Sequence, residues 1–495
     1  MSEMREAGIH YRVEQDFPDY LRDESRRIGW AESISFPASV TEVRDCLAYA
    51  RSRKEPVTVQ GARTGITAGA VPEGGHILNL SRMQKVLSFT RTPSPSIVVQ
   101  PGLSLDEVRI AVREETGGKW FFPPDPTETS AAVGGMIACN ASGARSFFYG
   151  PFRRYVTGLR VMRMDGSTLL VRRGVERAHN RAFEIKTESG STLRGRLPSY
   201  RIPVVKNASG YYVQDEMDLI DLFVGAEGTL GIVYEAELQL TPNPSVQFGL
   251  LACLPTEKSA LALVRQVREQ ARMRPAQAGL VAMEFFDHGA LELVGADSAA
   301  VELGVPACAG AALYFEFHGD SSDFLENRMS ELGQSLEQNG ADLDNAWVAG
   351  SDQEMGRLKA FRHAVPEAVN RIIGERKKTV PEITKLGTDL AVPDDHLEEI
   401  MGLYREGLER LGLEHVIFGH IGDNHVHVNI LPRNADEYEK GRKLYHEWTR
   451  AAVRMGGTVS AEHGVGKLKR EMLEEMYGAS GIEEMRQLRK CFDPL

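Results

Sequence analysis

The most constraining feature of the sequence is a histidine-rich segment near its C-terminal end. Residues 418–429 read Phe-Gly-His-Ile-Gly-Asp-Asn-His-Val-His-Val-Asn and hold three of the 13 histidines. From His425 onward polar and apolar residues alternate, which predicts a strand with His425, His427 and Asn429 on one face. The Gly-Asp-Asn turn before this strand can fold His420 back toward His427. Two imidazoles held this close predict a site for a divalent metal ion.

A second segment offers the acidic ligand that such a site would need. Residues 460–466 read Ser-Ala-Glu-His-Gly-Val-Gly, which makes Glu462 a candidate third ligand. Zn²⁺ or Mn²⁺ suits a set of two histidines and one carboxylate. Two simpler interpretations stay open, because a histidine is often a hydrogen-bonded structural residue and Glu462-His463 before a glycine can simply cap a helix.

Length, composition and charge restrict the class of protein. The chain has 495 residues, of which 42% are hydrophobic, and this is enough to build two domains. The formal net charge of -11 argues against a nucleic-acid partner. The cysteines form no CxxC pair, so no iron–sulfur cluster is predicted within the chain. Neither an apolar leader nor a membrane-spanning segment is visible, and we therefore expect a cytoplasmic protein.

Changes of pattern along the chain predict its domain organisation. A Thr-Pro-Asn-Pro sequence at 241–244 interrupts regular structure and marks a boundary. The strands and helices that follow it predict an α+β unit, one sheet with helices on one face. Before the boundary, the basic residues 173–200 are expected to form an irregular surface excursion. The predicted parts are a helical leader (1–34), a first domain (35–243), a second domain (244–434) and a C-terminal helical segment (435–495).

Three glycine-rich runs lie in the first domain, at residues 61–69, 130–143 and 224–233. Glycine adopts backbone angles that other residues resist, and it exposes N–H groups to a bound anion. Small side chains also let a large planar ligand lie against the backbone. The runs therefore predict a cofactor site, although the first run lacks the spacing of a GxGxxG fingerprint. A glycine-rich surface loop and a tightly packed core segment are the alternatives.

Taken in order, the three glycine runs, the histidine segment and Glu462-His463-Gly464 resemble the FAD-dependent 2-hydroxyacid dehydrogenases of the vanillyl-alcohol-oxidase/PCMH superfamily. The likeness runs from about residue 35 to the C-terminus. It is greatest to D-lactate dehydrogenases, the glycolate oxidase catalytic subunit and D-2-hydroxyglutarate dehydrogenase. The resemblance implies an α+β protein: a PCMH-type FAD-binding domain of two α/β subdomains, an α+β ferredoxin-like cap domain and a C-terminal helical segment.

The resemblance also implies which residues hold the cofactor. The first loop has Ala62-Arg63 where relatives with covalent FAD carry a linking histidine, so we expect non-covalent FAD. The implied FAD contacts are Gly61, Ala62, Arg63, Thr64, Gly65, Ile66, Thr67, Gly69, Pro124, Ser130, Gly134, Gly135, Asn140, Ala141, Gly143, Glu227, Gly231 and Ile232.

For the reaction itself, the resemblance implies His420, His427 and Glu462 as metal ligands, His463 as general base, and Arg362 and Asn429 as substrate contacts. Two departures from the family pattern bear on these roles. The usual Gly-Asn after Gly-Asp is Asn424-His425 here, so His425 either adds a ligand or alters the pocket. A lysine that some members use for substrate is absent at its usual offset, and Lys385 is the substitute that we consider.

The implied reaction is metal-assisted oxidation of a D-2-hydroxy acid to the 2-oxo acid. D-lactate is the first choice of substrate, followed by glycolate and D-2-hydroxyglutarate. Electrons would pass to an acceptor other than NAD, either a quinone or a protein such as an iron–sulfur or electron-transferring flavoprotein partner. Such a partner could also hold the protein at the inner face of a membrane. Two alternatives are a non-catalytic flavin subunit that relays electrons and a transferase similar to the alkyl-glycerone-phosphate synthases.

Overall fold

The first domain begins with a small sheet covered by one helix. The computed structural model describes residues 9–11, 13–273, 279–295 and 310–494. The four strands lie in the order Ile9–Tyr11, Ser33–Ser35, His76–Asn79 and Val57–Gln60. The first pair is antiparallel and the other two are parallel. Helix Val40–Ser52 packs on them, and its cap residue Ser39 accepts a hydrogen bond from the backbone N–H of Glu42.

The prediction of a helical leader over residues 1–34 is wrong for the part that the structure describes. Residues 1–8 and 12 lie outside the described residues. The rest of the segment holds strand Ile9–Tyr11, the one-turn helix Val13–Asp16, the 3-10 turn Pro18–Leu21 and the start of strand Ser33–Ser35. Proline has no N–H to donate and fixes its own φ, so Pro18 prevents the short helix from continuing.

A five-stranded antiparallel sheet forms the second part of the first domain. Its strand order is Val86–Thr90, Ser96–Val99, Ile232–Gln239, Val156–Met162 and Thr168–Arg172. The helices around it are Leu105–Thr116, Val133–Cys139, Ser146–Tyr149 and Ile220–Phe223, with a 3-10 turn at Phe152–Tyr155. A two-stranded ribbon pairs Trp120–Phe121 with Thr241–Pro242. Helix Leu105–Thr116 begins with a capping box between Ser104 and Glu107.

The excursion at residues 173–200 is ordered, contrary to the prediction of an irregular segment. It supplies three strands of a four-stranded sheet, in the order Thr192–Arg196, Ala182–Lys186, Arg177–His179 and Met217–Asp218. Alternate residues of the central strand are buried, among them Phe183 and Ile185. The sequence did not predict this strand, because the basic residues on its outer face dominate the local composition.

The second domain is built on a seven-stranded antiparallel sheet, which we call the cap sheet. Its strands, in order, are Trp347–Ala349, Val246–Leu254, Ala311–Gly319, Leu280–Asp287, His415–His420, His425–Ile430 and Leu386–Gly387. Its helices are Glu257–Met273, His288–Gly295, Ser322–Gln338, Asp352–Lys377 and Leu397–Leu411. Short 3-10 turns lie at Leu343–Asn345, Asp394–His396 and Ile421–Asp423.

Helices cover both faces of the cap sheet, so the expectation of helices on one face is wrong. One core contains Leu263, Tyr404 and Trp448, and the other contains Phe361 and Val416. The physical reason is visible in strand Leu280–Asp287, where every residue is buried. A strand that is buried on both faces needs other elements packed on both sides of its sheet.

The C-terminal segment completes the second domain and returns the chain to the first. Helix Ala435–Arg454 packs beside Leu397–Leu411, and helix Arg470–Phe492 follows with a break at Gly478, whose φ is 69°. Phe492 stacks on Phe183 of the ordered excursion. Within the described ranges, no helix has the combination of length and apolar sequence that a bilayer crossing requires.

Candidate active site and cofactor cleft

The histidine segment folds as the sequence predicts, into a tight hairpin at the cap sheet. Strand His415–His420 pairs with His425–Ile430, and His420 lies directly opposite His425. Asn424 closes the turn with a φ of 51°, a left-handed angle that asparagine tolerates better than most residues. Because opposed residues of an antiparallel pair share a face, His420, His425 and His427 project to the same side. Helix Asp352–Lys377, which carries Arg362, covers that side.

Glu462 reaches this face from the loop between the two C-terminal helices. Its Oε2 lies 3.2 Å from Nε2 of His420 and 4.0 Å from Nε2 of His427. Nδ1 of His425 is 3.9 Å from the same oxygen. One donor atom from each of these four residues lies within 4.8 Å of the others. The arrangement has the size and chemistry of a divalent metal site.

Partners outside this cluster orient its ligands. Nδ1 of His420 lies 2.7 Å from Oε1 of Glu284, and Nδ1 of His427 lies 3.0 Å from the carbonyl oxygen of Thr388. These contacts fix the outer nitrogen of each ring and turn Nε2 inward, as in known metal centres. Lys206 binds the other oxygen of Glu462, which also accepts a hydrogen bond from Ser142 at 3.2 Å.

Buried charges set the protonation of the cluster. Burial opposes the charged form of His420, but Glu284 and Glu462 outweigh it and raise its pKa to about 9. Burial lowers the pKa of His425 to about 4 and holds the pKa of His427 well below its usual value. For Glu462, burial is outweighed by His420 and Lys206, which hold the pKa of the carboxyl well below its usual range. The cluster therefore offers two neutral imidazoles and one carboxylate to a cation.

Asp389 organises the loop that carries Glu462 and His463. It accepts hydrogen bonds at 3.1 Å from the backbone N–H groups of both residues. The ammonium of Lys469 lies 2.5 Å from its Oδ2, and the hydroxyl of Ser460 donates to the same oxygen at 2.6 Å. Nδ1 of His463 is 3.2 Å from this oxygen as well. Asp389 therefore positions the candidate base and one candidate metal ligand together.

His463 lies at the open side of the cluster. Its side chain is 31% exposed, whereas Asp389 beneath it is buried. Its ring stacks on His427 with centroids 5.7 Å apart and an interplanar angle of 28°. With Nδ1 turned toward Asp389, Nε2 is the nitrogen available to a bound molecule.

The predicted substrate contacts border the same space. Arg362 lies 4.0 Å from both Glu284 and Glu316 and stacks over Tyr314, and its Nε lacks a hydrogen-bond partner among the described residues. Oδ1 of buried Asn429 also has no partner within the described part of the chain. Unpaired buried polar groups are costly unless a ligand satisfies them. Both residues are therefore suited to hold polar groups of a substrate.

Lys385 lies close to Asn429. A Cβ added to Gly387 would meet Oδ1 of Asn429 at 2.9 Å and Cε of Lys385 at 3.4 Å. The lysine side chain is otherwise exposed. Its role as a substrate contact stays a prediction.

All three glycine runs contribute to one cleft in the first domain. The predicted FAD residues that line it are Gly61, Gly134, Gly135, Glu227, Gly231 and Ile232. Gly135 and Gly228 face open space, so a side chain at either position would project into the cleft. Arg63, Ala68, Asn140 and Glu227 adopt left-handed backbone angles, which are uncommon outside glycine and occur most often at functional sites. These glycines leave the backbone of the cleft open to a ligand.

The other predicted FAD residues do not line that cleft. They are Ala62, Arg63, Thr64, Gly65, Ile66, Thr67, Gly69, Pro124, Ser130, Asn140, Ala141 and Gly143. Several have protein partners instead. Arg63 stacks on Tyr20, and Asn140 accepts a hydrogen bond from the backbone of Arg153. Gly143 is packed so closely on Asp125 that an added Cβ would lie 1.8 Å from its carbonyl oxygen. Their contacts with FAD stay predictions.

The His463 loop joins the cleft to the side-chain cluster of His420, His425, His427 and Glu462. The hydroxyl of Thr67 in the first glycine run donates to the carbonyl oxygen of His463 at 3.2 Å. Glu227 in the third run accepts hydrogen bonds from the backbone of Val465 at 2.8 Å and Gly466 at 2.7 Å. The candidate base therefore lies between the two sites.

Comparison with known families assigns both halves of this arrangement. Residues 243–495 match the family described as "FAD linked oxidases, C-terminal domain", and residues 31–172 match an FAD binding domain. The chain belongs to the FAD-linked oxidases. It is therefore an oxidoreductase that uses FAD, as the resemblance implied.

Three relatives of this FAD-linked oxidase align over nearly its whole length. It is 29% identical to the glycolate oxidase subunit GlcD of Bacillus subtilis over 94% of the chain and 87% of that protein. It is 30% identical to a D-lactate dehydrogenase of Archaeoglobus fulgidus, covering 92% and 88%. A D-2-hydroxyglutarate dehydrogenase of Xanthomonas citri pv. viticola is 29% identical, with coverage of 97% and 90%.

Solved structures confirm the fold class. The 4-ethylphenol oxidase of Gulosibacter chungangensis superimposes with a TM-score of 0.69 at 16% identity, covering 100% of this chain and 94% of the other. A p-cresol methylhydroxylase gives a TM-score of 0.68 at 12% identity, with coverage of 100% and 95%. At these identities the likeness concerns the fold alone.

Four charged residues that support the site in this FAD-linked oxidase received no role from the sequence: Lys206, Glu284, Asp389 and Lys469. A signal for two of them was present. Glu284 interrupts the apolar run of strand Leu280–Asp287, and Asp389 follows a short strand in another apolar stretch. A carboxylate in such a run is buried only when it is paired. No comparable signal marks Lys206 or Lys469.

Proposed function

We propose that the protein oxidises a D-2-hydroxy acid to the 2-oxo acid, with D-lactate as the first substrate to test. The observation that carries the proposal is the convergence of His420, His427, Glu462 and His463 beside the loops of the FAD domain. Relatives named for glycolate, D-lactate and D-2-hydroxyglutarate support the substrate class. Glycolate and D-2-hydroxyglutarate are therefore the next substrates to test.

His463 accepts the substrate hydroxyl proton at Nε2. The contact between its Nδ1 and Asp389 holds the ring in place, and the negative carboxylate stabilises the imidazolium that forms. Its partial exposure gives the proton a route to solvent after each turnover. This assigns Asp389 as a positioning residue and His463 as the catalytic residue.

Arg362 binds the substrate carboxylate. Its guanidinium has two donor edges, and the neighbouring Glu284 and Glu316 lie 4.0 Å away, beyond hydrogen-bond distance. Asn429 adds a polar contact from its side-chain amide, and the ammonium of Lys385 is a further candidate contact to the same molecule. The two carboxylates beside Arg362 keep it charged, and their presence raises its pKa against the effect of burial.

Two bound groups complete the proposed site. FAD, which the glycine-lined cleft would hold without a covalent bond, would supply the acceptor for the hydride equivalent that leaves the α-carbon of the substrate. A divalent ion, Zn²⁺ or Mn²⁺, held by His420, His427 and Glu462 would lower the pKa of the substrate hydroxyl. The reduced protein then passes electrons to an acceptor other than NAD, a quinone or a protein partner such as an iron–sulfur or electron-transferring flavoprotein. We propose a cytoplasmic protein that reaches a membrane only through such a partner.

Anaerobic mixing with D-lactate tests the proposal. The flavin absorbance is expected to bleach as the flavin is reduced, with one 2-oxo acid formed per flavin. A flavin subunit that only relays electrons, or a transferase without net oxidation, would leave the flavin oxidised. A panel of D-2-hydroxy acids that includes glycolate and D-2-hydroxyglutarate identifies the substrate from the rates of bleaching. No bleaching with any member would overturn the proposed function.

A further inference from the structure

His425 is the residue of the cluster that the family pattern does not account for. It begins strand His425–Ile430 and lies directly opposite His420 in the hairpin. It is completely buried, with 0% of its side chain exposed. A buried histidine in a protein core normally has hydrogen-bond partners for its ring nitrogens.

One ring nitrogen of His425 lacks such a partner. Nε2 lies 3.0 Å from Oδ1 of Asp389, which holds the ring from one side. Nδ1 makes no hydrogen bond with the described residues. Nδ1 faces away from Asp389 and toward Oε2 of Glu462, 3.9 Å distant. An unpartnered nitrogen in this setting costs free energy unless a ligand occupies the space before it.

The space before Nδ1 is the centre of the cluster. The ring centroid of His425 lies 4.5 Å from that of His427 and 5.5 Å from that of His420. Each of the three rings has its outer nitrogen directed at an oxygen, from Glu284, Asp389 or Thr388. The three inner nitrogens therefore converge on Oε2 of Glu462. This is the pattern by which outer partners orient imidazoles around one ion.

We propose that His425 is a fourth protein ligand of the metal, so that the ion is held by three imidazoles and one carboxylate. The inference rests on the proposed metal site and adds a donor that the resemblance did not imply. It also gives the unpaired nitrogen of His425 a partner. A merely structural histidine at this position would leave Nδ1 without one.

X-ray absorption spectroscopy of the purified, FAD-loaded protein reconstituted with Zn²⁺ tests the proposal directly. Multiple scattering from imidazole rings is expected to fit three histidines around the ion. A fit with two histidines would overturn the proposal while leaving the metal site itself intact. Failure of Zn²⁺ to bind would instead remove the metal from the proposed function, so the two failures are distinguishable.

Substitution supplies a second, independent measurement. His425→Asn keeps a polar side chain at the position, and His396→Asn changes a half-buried histidine outside the cluster as the matched control. Competition with a chromophoric chelator is expected to show Zn²⁺ affinity at least tenfold weaker in His425→Asn, since even outer partners of metal ligands are worth about 10–100-fold. FAD content and thermal midpoint report on folding. Zn²⁺ affinity in His425→Asn within about twofold of the control variant would overturn the proposal.

Discussion

The predicted FAD cleft and the candidate metal site, which is the cluster of His420, His425, His427 and Glu462, are built in opposite ways. The cleft is walled by backbone and small side chains, and Gly135 and Gly228 contribute by having no side chain at all. The cluster consists of large polar side chains, and His420 and Glu462 are each paired with other charged groups. A glycine in the cleft can act alone, whereas a ligand in the cluster depends on partners. A substitution in the cleft should therefore weaken FAD binding without weakening metal binding, and a substitution in the cluster should do the reverse.

The two sites also differ in how far apart their residues lie along the chain. Each glycine run consists of a few consecutive residues, so it can be recognised from the local sequence alone. The cluster ligands lie within a short hairpin and one loop, but their partners Lys206, Glu284 and Asp389 come from three other segments. Catalysis should accordingly be sensitive to residues that no local motif reveals.

The largest effect expected from a single substitution comes from removing the candidate base. His463→Ala should slow flavin reduction by D-lactate by about 10²-fold or more, because the hydroxyl proton loses its acceptor. FAD content should stay unchanged, since the side chain does not line the cleft. Stopped-flow absorbance measures the rate, and His446→Ala is the matched control. Reduction at a near-normal rate would remove His463 from the role of base.

Chelation separates the two sites without any substitution. Incubation with a strong chelator should abolish flavin reduction and leave FAD bound, and added Zn²⁺ or Mn²⁺ should restore the rate. The measurements are metal content, flavin absorbance and reduction rate on one sample. Full activity in protein shown to be free of metal would contradict the role given to His420, His427 and Glu462.

The partners of the cluster predict a weaker effect. Glu284→Gln should weaken Zn²⁺ binding by roughly 10–100-fold, because His420 loses the carboxylate that orients it. The affinity is best measured above pH 9, where most His420 rings have lost their proton. FAD affinity should not change. An unchanged Zn²⁺ affinity would mean that the cluster binds its ion without support from this partner.

The cleft predicts the reverse selectivity. Gly135→Val should weaken FAD binding by about tenfold, the equivalent of about 1.4 kcal/mol, because the added side chain occupies space that the cofactor needs. Zn²⁺ affinity should be retained. Gly356→Val, on an open surface of helix Asp352–Lys377, is the control for the substitution itself. Equal FAD affinity in both variants would show that the cofactor does not contact this wall.

The last expected effect is a pH dependence confined to the cluster. The pKa of His420 is raised to about 9 from 6.5, so in metal-free protein it holds a proton that an incoming ion must displace. Zn²⁺ affinity should rise close to tenfold between pH 7 and pH 8 and level off above about pH 9. Stability that the protonated ring contributes without metal is present below pH 6.5 and lost as pH rises through 9. Affinity independent of pH would contradict this protonation.

Much of the fold follows from local sequence. The Ser-x-x-Glu patterns at Ser39 and Ser104 predict helix starts, and helices begin there. The apolar periodicity of residues 257–273 and 322–338 predicts two more helices, and the structure has them with the same bounds. The predictions of a helical leader at residues 1–34 and of an irregular excursion at residues 173–200 were wrong. In those segments strand pairing with distant partners decides the structure, and propensity within the segment does not report it.

The sequence by itself determined the hairpin, its histidines and the glycine-rich backbone, because turn geometry, strand alternation and the lack of a side chain are properties of neighbouring residues. Only the tertiary structure decided that Glu284 orients His420, that Asp389 holds the His463 loop, and that the nitrogen of His425 faces the same centre. Electrostatic contacts act over a few ångströms between atoms that can be hundreds of residues apart along the chain. The partners of a buried charge are therefore known only once the chain has folded.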